Sequence, residues 1–284
     1  NNSPEIKYIY NMAVTMADIQ HLRKMTGAGM MDCKSALVEA EGDFDKAVEI
    51  IRKKGQAVAA KREDREASEG CVIAKTEEGH GAIVALQCET DFVAKNADFI
   101  ALTEQILDVA MSNKPKSLDE LLALPMKDST VAELITDRIG ATGEKMELGY
   151  YEYITAPTVV GYIHPGNKLA TIVGFNKENV DENVSRDVAM QVAAMNPLAV
   201  TSDQISEELK EKEMEIARDK AREGGKPEHI LDRIAEGSLQ KFYKENTLMQ
   251  QDYVKDSKLT IEEYIKENDK ELTVTEFKRV SLNA

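Results

Sequence analysis

Apolar side chains between residues 13 and 55 recur every three or four positions, in three short runs. The runs are Ile19, Leu22 and Met25; Met30, Cys33, Ala36, Leu37 and Ala40; and Ala47, Val48 and Ile51. This spacing is that of amphipathic helices. Residues 26–29 and the Gly42-Asp43 pair interrupt it, and Gly55 fits the position just after a third helix. The pattern therefore predicts a three-helix module over 13–55, a size typical of a contact module.

The segments on either side of this module lack such a pattern. Residues 1–11 show neither a helical period nor a capping signal, so we expect 1–12 to be a disordered lead-in, with Met12 as a plausible natural start. Residues 56–69 are charged and almost free of large apolar groups. They predict a helical or extended linker and a domain boundary.

Two β-rich segments follow, at 70–88 and 159–175, and each has a turn at its centre. Each is followed by an amphipathic helix that ends at a proline, Pro115 in the first case and Pro197 in the second. The repeated order of strand, turn, strand and helix predicts an internal duplication.

We therefore expect an α+β fold with two related core subdomains. The first is predicted to span 70–154, including a short helix at 131–139 and a strand at 145–154. The second is predicted to span 155–200 and 246–284, and its last strand is expected near the C-terminal end of that range. A helical hairpin over 201–245 is inserted between its two parts, and the hairpin's first arm carries only a thin apolar stripe.

Composition narrows the class of protein. The 284 residues contain 36 Lys and Arg against 51 Asp and Glu, a formal charge of −15, and 42% are hydrophobic. That hydrophobic share excludes a wholly disordered chain. The acidic balance argues against direct nucleic-acid binding, which requires a dense basic surface. No long uncharged apolar run is present, so no membrane span is predicted.

Cysteine and histidine usage predicts neither a disulfide framework nor a metal site. The three cysteines are Cys33, Cys71 and Cys88, none forms a C-x-x-C pair, and the four histidines are scattered. Together with the lack of a secretion signal, this favours a reducing cytoplasm. We predict no cofactor and no metal.

The first motif is TGAGMMDCK, which starts at Thr26. Its Gly-x-Gly is not a phosphate loop, because the third glycine, a Gly-Lys-Ser/Thr and a preceding strand are all missing. Met30 and Met31 cannot both face one core, since neighbours on a helix diverge by about 100°. At least one should be exposed as a deformable contact surface, and binding to a partner is as plausible as packing.

The second motif follows the first predicted hairpin. Glu89, Asp91 and Asp98 could suggest metal ligands, but their spacing matches no calcium loop. Either Thr90 or Asp91 could cap a short turn, with Phe92 packed inward, and composition alone favours this interpretation. The functional alternative is a rigid loop that presents an acid and an aromatic side by side.

These two motifs carry a resemblance to a known family. The run LRKMTGAGMMDCKSAL, from Leu22 to Leu37, closely resembles the N-terminal signature of the elongation factor Ts family, and TDFVAK, from Thr90 to Lys95, matches its second signature. The order of parts over residues 13–280 matches as well. One departure is Ala85-Leu86-Gln87, where the family usually has Glu-hydrophobic-Asn.

The resemblance implies a guanine-nucleotide exchange factor rather than an enzyme of covalent chemistry. Its implied partner is the GTPase elongation factor Tu, from which it would release GDP by displacing magnesium and phosphate-binding elements. Asp91 and Phe92 would be the probing pair, with Phe92 wedged between helices of the partner's nucleotide domain. Thr90 and Val93 would hold the loop.

Further contacts are implied at other positions. Arg23, Met30 and Met31 would dock the N-terminal module on the partner's nucleotide domain, and His164, in a hairpin turn, would touch a different domain. From its residues alone, His164 is more simply a solvated turn residue. In some relatives the hairpin forms a homodimer, and the thin stripe over 201–245 is compatible with that.

Two other functions stay open at this point. The three-helix unit also resembles ubiquitin-associated-type modules, so the chain could be a non-catalytic helical adaptor. A metal-dependent enzyme using Glu89, Asp91 and Asp98 is the weakest alternative.

Overall fold

The computed structural model describes residues 14–283, so the predicted lead-in at 1–12 lies outside the described residues. The helices are α1 (Met16–Thr26), α2 (Met30–Glu39), α3 (Phe44–Lys61), α4 (Asp91–Ala94), α5 (Ala97–Asn113), α6 (Leu118–Ala123), α7 (Val131–Thr142), α8 (Glu182–Met195), α9 (Glu207–Glu223), α10 (Leu231–Asn246) and α11 (Ile261–Asn268). The strands are β1 (Glu69–Glu77), β2 (His80–Cys88), β3 (Pro125–Met126), β4 (Ser129–Thr130), β5 (Met146–Thr155), β6 (Thr158–Ile163), β7 (Leu169–Phe175), β8 (Asp252–Tyr253), β9 (Asp256–Thr260) and β10 (Val274–Ser281). The predicted α+β class is confirmed.

The N-terminal module consists of α1, α2 and α3 packed around a single apolar cluster that includes Leu22, Cys33 and Leu37. Thr15 begins α1 with a reciprocal side-chain cap, and the Asp43 carboxylate accepts a hydrogen bond from the Lys46 amide at the start of α3. The three predicted apolar stripes therefore face one another, except for Met25 and Met30, which lie outside this cluster.

The predicted end of the third helix at Gly55 is wrong, because α3 continues to Lys61. Gly55 instead marks a close crossing of α3 and α7. A Cβ atom on Gly55 would lie 2.4 Å from the Thr136 carbonyl oxygen, and one on Gly140 would lie 2.9 Å from the Gly55 Cα. Glycine stands at both positions because the two backbones touch, and the charged 56–69 segment is helical over its first part.

The two halves of the core have the same topology. One antiparallel sheet has the order β1-β2-β5 and the other the order β6-β7-β10, so each hairpin carries its third strand beside its second strand. Each third strand is preceded by a two-stranded ribbon and by a helix, α7 or α11, capped by a threonine, Thr130 or Thr260. The duplication therefore extends beyond the strand–turn–strand–helix unit that the sequence indicated.

The two sheets pack against each other through alternating side chains. Ile83 and Ala85 on β2 share a cluster with Ile154 on β5 and Ile172 on β7. The intervening β2 residues belong to a second cluster that is shared with α5. Because β2 is covered on both faces, its sequence is continuously apolar instead of alternating.

The hairpin of α9 and α10 is inserted between α8 and β8, as predicted. None of the residues of α9 is buried, and Ile216 is exposed. Leu239 and Tyr243 on α10 form a small cluster with Ile205. The thin stripe thus belongs to a charged, projecting arm, and dimerisation through 201–245 stays a prediction.

Within residues 14–283, no helix is both long enough and apolar enough to cross a lipid bilayer.

Candidate partner-binding site

The loop after β2 contains a single helical turn, α4. Thr90 has an extended backbone, and its Oγ1 accepts a hydrogen bond from the Val93 amide at 3.3 Å. Thr90, rather than Asp91, is therefore the cap. The cap begins the single turn α4 directly after β2, and α5 follows from Ala97.

Phe92 is 85% exposed, and the expectation that it packs inward is wrong. Val93 and Ala94 on the same turn contact the apolar cluster under α5. Since one helical turn cannot direct three consecutive side chains to one side, Phe92 lies on the outer side. A large aromatic held in water forgoes about 2 kcal/mol of burial, which makes it a candidate contact residue.

Asp91 lies beside this ring and is half exposed. Its carboxylate forms an ion pair with Lys95 at 3.2 Å, one helical turn away. An exposed pair of this kind contributes little stability. The loop therefore leaves an acid and an aromatic accessible to solvent on neighbouring residues.

Glu144, a residue that sequence reasoning missed, anchors the start of the loop by hydrogen bonds. The Glu144 carboxylate accepts hydrogen bonds from the amides of Glu89 and Thr90 and from the Thr90 hydroxyl. Glu144 lies 54 positions from Thr90. Because a lone acid before a strand has no periodic or motif signal, only the tertiary structure could reveal it.

The methionines predicted to dock the N-terminal module are both accessible. Met30 and Met31 begin α2, and Met31 is 73% exposed. The inward side of the same helix carries Cys33 and Leu37. At least one exposed methionine was expected, and the turn presents two.

Arg23 is exposed and lines a cleft of about 650 Å³ between α1 and the core. Asp98, at the start of α5, lines the same cleft. Across it, Arg138 on α7 donates a hydrogen bond to the Gly27 carbonyl oxygen at 3.0 Å. Gly27 ends α1 with a φ of 71°, a conformation that glycine adopts without strain. This hydrogen bond fixes the module to α7, and α5, which follows the loop that carries Phe92, lines the cleft between them.

His164 lies in the exposed turn between β6 and β7, and its Nδ1 is 2.9 Å from the Tyr162 hydroxyl. In the same turn, Lys168 forms an ion pair with Glu69 at the start of β1. Glu69 pairs with Cys88 in the sheet register, and Cys88 directly precedes the Phe92 loop, which spans residues 89–96. The His164 turn and the Phe92 loop therefore emerge at the same end of the core.

The three acidic residues that could suggest metal ligands each have a partner of their own. The Glu89 carboxylate accepts hydrogen bonds from Arg62 and from the Lys145 amide. Asp91 forms an ion pair with Lys95, and Asp98 forms one with Arg138. Over residues 14–283, no three acidic, histidine or cysteine side chains converge as a metal site would require. Burial raises the pKa of Cys71 to about 11 and the pKa of Cys88 to about 12, so neither thiol is an activated nucleophile.

Comparison with known proteins decides the family. The family described as elongation factor TS matches residues 89–284. Elongation factor Ts of Porphyromonas gingivalis is 64% identical over 274 residues, which cover 96% of this chain and all of that protein. The chain belongs to the elongation factor Ts family. Elongation factor Ts of Azobacteroides pseudotrichonymphae is 57% identical over 96% of this chain and 99% of its own, and that of Christiangramia forsetii is 49% identical over 95% and 98%.

Family membership confirms the resemblance read from the two signatures and assigns the chain a role in translation elongation. The matched region begins at Glu89, so it includes the Phe92 loop, Glu144 and both halves of the core beyond β2.

Proposed function

We propose that this protein is a guanine-nucleotide exchange factor that binds elongation factor Tu·GDP and promotes GDP release in the cytoplasm. It makes and breaks no covalent bond. The observation that supports this most is Phe92, an 85% exposed aromatic on a capped turn beside Asp91.

The proposed mechanism is mechanical. Bound GDP is held largely by magnesium and by backbone amides at a helix N-terminus. The Phe92 ring inserts between helices of the partner, Asp91 perturbs the adjoining helix, and Thr90 and Val93 keep the turn in place. A displacement of the partner's phosphate-binding elements weakens several nucleotide contacts at once.

The free energy required exceeds what one ring supplies. A thousandfold weakening of GDP binding corresponds to about 4 kcal/mol, whereas burying one aromatic contributes about 2 kcal/mol. By thermodynamic reciprocity, the same coupling makes the factor prefer the nucleotide-free partner. Arg23, Met30, Met31 and His164 are the proposed sources of the remaining contact energy.

The direct test is the rate of release of a fluorescent GDP analogue from elongation factor Tu, followed by stopped flow. Phe92→Ala should lose about 2 kcal/mol of coupling and slow release roughly thirtyfold. Because the ring is exposed, the free energy of unfolding should change by no more than about 0.5 kcal/mol. Tyr150→Ala, which removes another exposed aromatic from the same half of the core, is the matched control. Equal release rates for Phe92→Ala and the unmodified protein would contradict the proposal.

The adaptor function remains a second candidate because Met31 is 73% exposed on a three-helix module. It differs from exchange in one measurable respect. An adaptor would bind elongation factor Tu without accelerating GDP release, so the same assay separates the two functions.

A further inference from the structure

Glu144 accepts three hydrogen bonds from the first residues of the Phe92 loop. It lies in the short connection between α7 and β5. Its Oε1 accepts from the amides of Glu89 at 3.1 Å and Thr90 at 2.9 Å, and its Oε2 accepts from Thr90 Oγ1 at 2.7 Å. Hydrogen bonds to an ionised acceptor are about twice as strong as neutral ones.

The Thr90 hydroxyl links this carboxylate to the helical turn. A hydroxyl has one proton, and in Thr90 it is donated to Glu144. The lone pairs on the same oxygen are then free to accept from the Val93 amide at 3.3 Å. Glu144 therefore orients the cap on which α4 depends.

A second carboxylate completes the connection in the opposite direction. Glu89 Oε1 accepts from the Lys145 amide at 2.7 Å, and Glu89 Oε2 lies 3.4 Å from Arg62 at the end of α3. The Lys145 ammonium donates to the Glu63 carbonyl oxygen at 2.9 Å. The base of the loop is thus tied to the β5 connection and to the last helix of the N-terminal module.

Phe92 depends on these ties because its ring gains almost no support from its own chain. An 85% exposed side chain is oriented by its backbone, and a single helical turn is unstable in isolation. A mobile turn would have to be ordered on each encounter with a partner, and that ordering lowers the energy left for displacement.

We propose that Glu144 is a positioning residue for nucleotide release, which holds residues 90–93 so that Phe92 and Asp91 are presented in one orientation. The inference rests on the proposed function. A positioning role differs from a merely structural one, because it predicts that Glu144 affects the mobility of the loop and the rate of GDP release at saturating exchange factor.

The first experiment needs no partner. The chain contains no tryptophan, so Phe92→Trp places a unique fluorophore at the tip of the loop. Time-resolved anisotropy should show more fast local motion when Glu144→Ala is added. Glu147→Ala, which removes an equal charge from an exposed position on β5, should leave the motion unchanged. Equal mobility in the Glu144 and Glu147 variants would overturn the inference.

The second experiment measures GDP release from elongation factor Tu at saturating exchange factor, with Phe92 intact. Glu144→Ala should lower the maximal release rate about tenfold, since the loop must be ordered in the complex. Glu144→Gln should have a smaller effect, because its amide oxygen can still accept from the two backbone amides. It also serves as the folded variant should the alanine variant fail to fold. An unchanged maximal rate in both Glu144 variants would overturn the inference.

The two proposals fail in different ways. If the unmodified protein does not accelerate GDP release, the proposed function is wrong, and the anisotropy still decides whether Glu144 restrains the loop. If the unmodified protein accelerates release and the Glu144 variants do so equally well, only the positioning role is wrong.

Discussion

The two halves of the core share one topology but treat the loop after their second strand differently. In the first half, the chain leaves β2, makes the one-turn helix α4 and exposes Phe92 to solvent. In the second half, the corresponding strand β7 ends at Phe175, which is completely buried. The matching last residue of β2, Cys88, is also completely buried, so the two halves differ only after the strand ends, where the first half exposes an aromatic.

Both loops are nevertheless tied to the segment before the third strand. In the first half, Glu144 reaches from that segment to the loop. In the second half, the loop residue Asn176 reaches the other way, donating to the Glu271 carbonyl oxygen at 2.9 Å and accepting from the Thr273 amide at 2.8 Å. The duplicated scaffold thus supplies an anchored loop in each half, and the additional capped turn α4 exposes the loop of the first half.

The largest expected effect on stability comes from the buried residue Phe175. Phe175→Ala should lower the free energy of unfolding by about 3–5 kcal/mol, because it leaves a cavity in the cluster beneath α8. Urea denaturation followed by circular dichroism measures this, with Phe92→Ala as the exposed counterpart. A loss below about 1 kcal/mol for Phe175→Ala would show that the end of β7 does not belong to the core.

A second comparison concerns α7 and α11, which occupy the same place in the two halves. The side chain of Asp137 on α7 is only 1% exposed. Its carboxylate lies 3.2 Å from the guanidinium of Arg52 in the N-terminal module. The matching position on α11, counted from the capping threonines, is the exposed Glu267. Burial raises the pKa of the Asp137 carboxyl from 3.8 to about 6, because desolvation outweighs the attraction of Arg52.

This raised pKa predicts a pH-dependent stability. The folded protein holds the Asp137 proton more tightly than the unfolded chain, so the contribution is fully present below about pH 4 and is lost as the pH rises to about 6. The loss should amount to about 3 kcal/mol. The free energy of unfolding, measured from about pH 4 to pH 6, should show this loss in the unmodified protein and in Glu267→Gln. Asp137→Asn should not show it. The same pH slope in all three proteins would contradict the prediction.

The smallest effect is expected at the anchor of the second loop. Asn176→Ala should lower the free energy of unfolding by about 1 kcal/mol, because it removes two hydrogen bonds from an exposed residue. GDP release should be unchanged, in contrast to Glu144→Ala. Glu178→Ala, at an exposed position in the same loop, is the control for stability. Slower release in Asn176→Ala would mean that the second loop also acts on the partner.

Sequence pattern located both hairpins closely, because turn residues and β-rich runs are local signals. The predicted segment 70–88 corresponds to β1 and β2, and 159–175 to β6 and β7. The pattern predicts the wrong helix end at Gly55, since glycine serves equally as a terminator and as a point of close helix contact. The choice between the two depends on α7, which is remote in sequence.

Local patterns in the sequence are enough to predict the helical module, the duplicated α+β halves and the inserted hairpin, and they contain the two signatures that indicate the family. Those features follow from periodicity and from residues close together in the chain. Only the tertiary structure decided that Phe92 points outward, that Asp137 is buried under Arg52 and that Glu144 holds the loop. These depend on contacts between segments tens of residues apart, for which a single sequence carries no local signal.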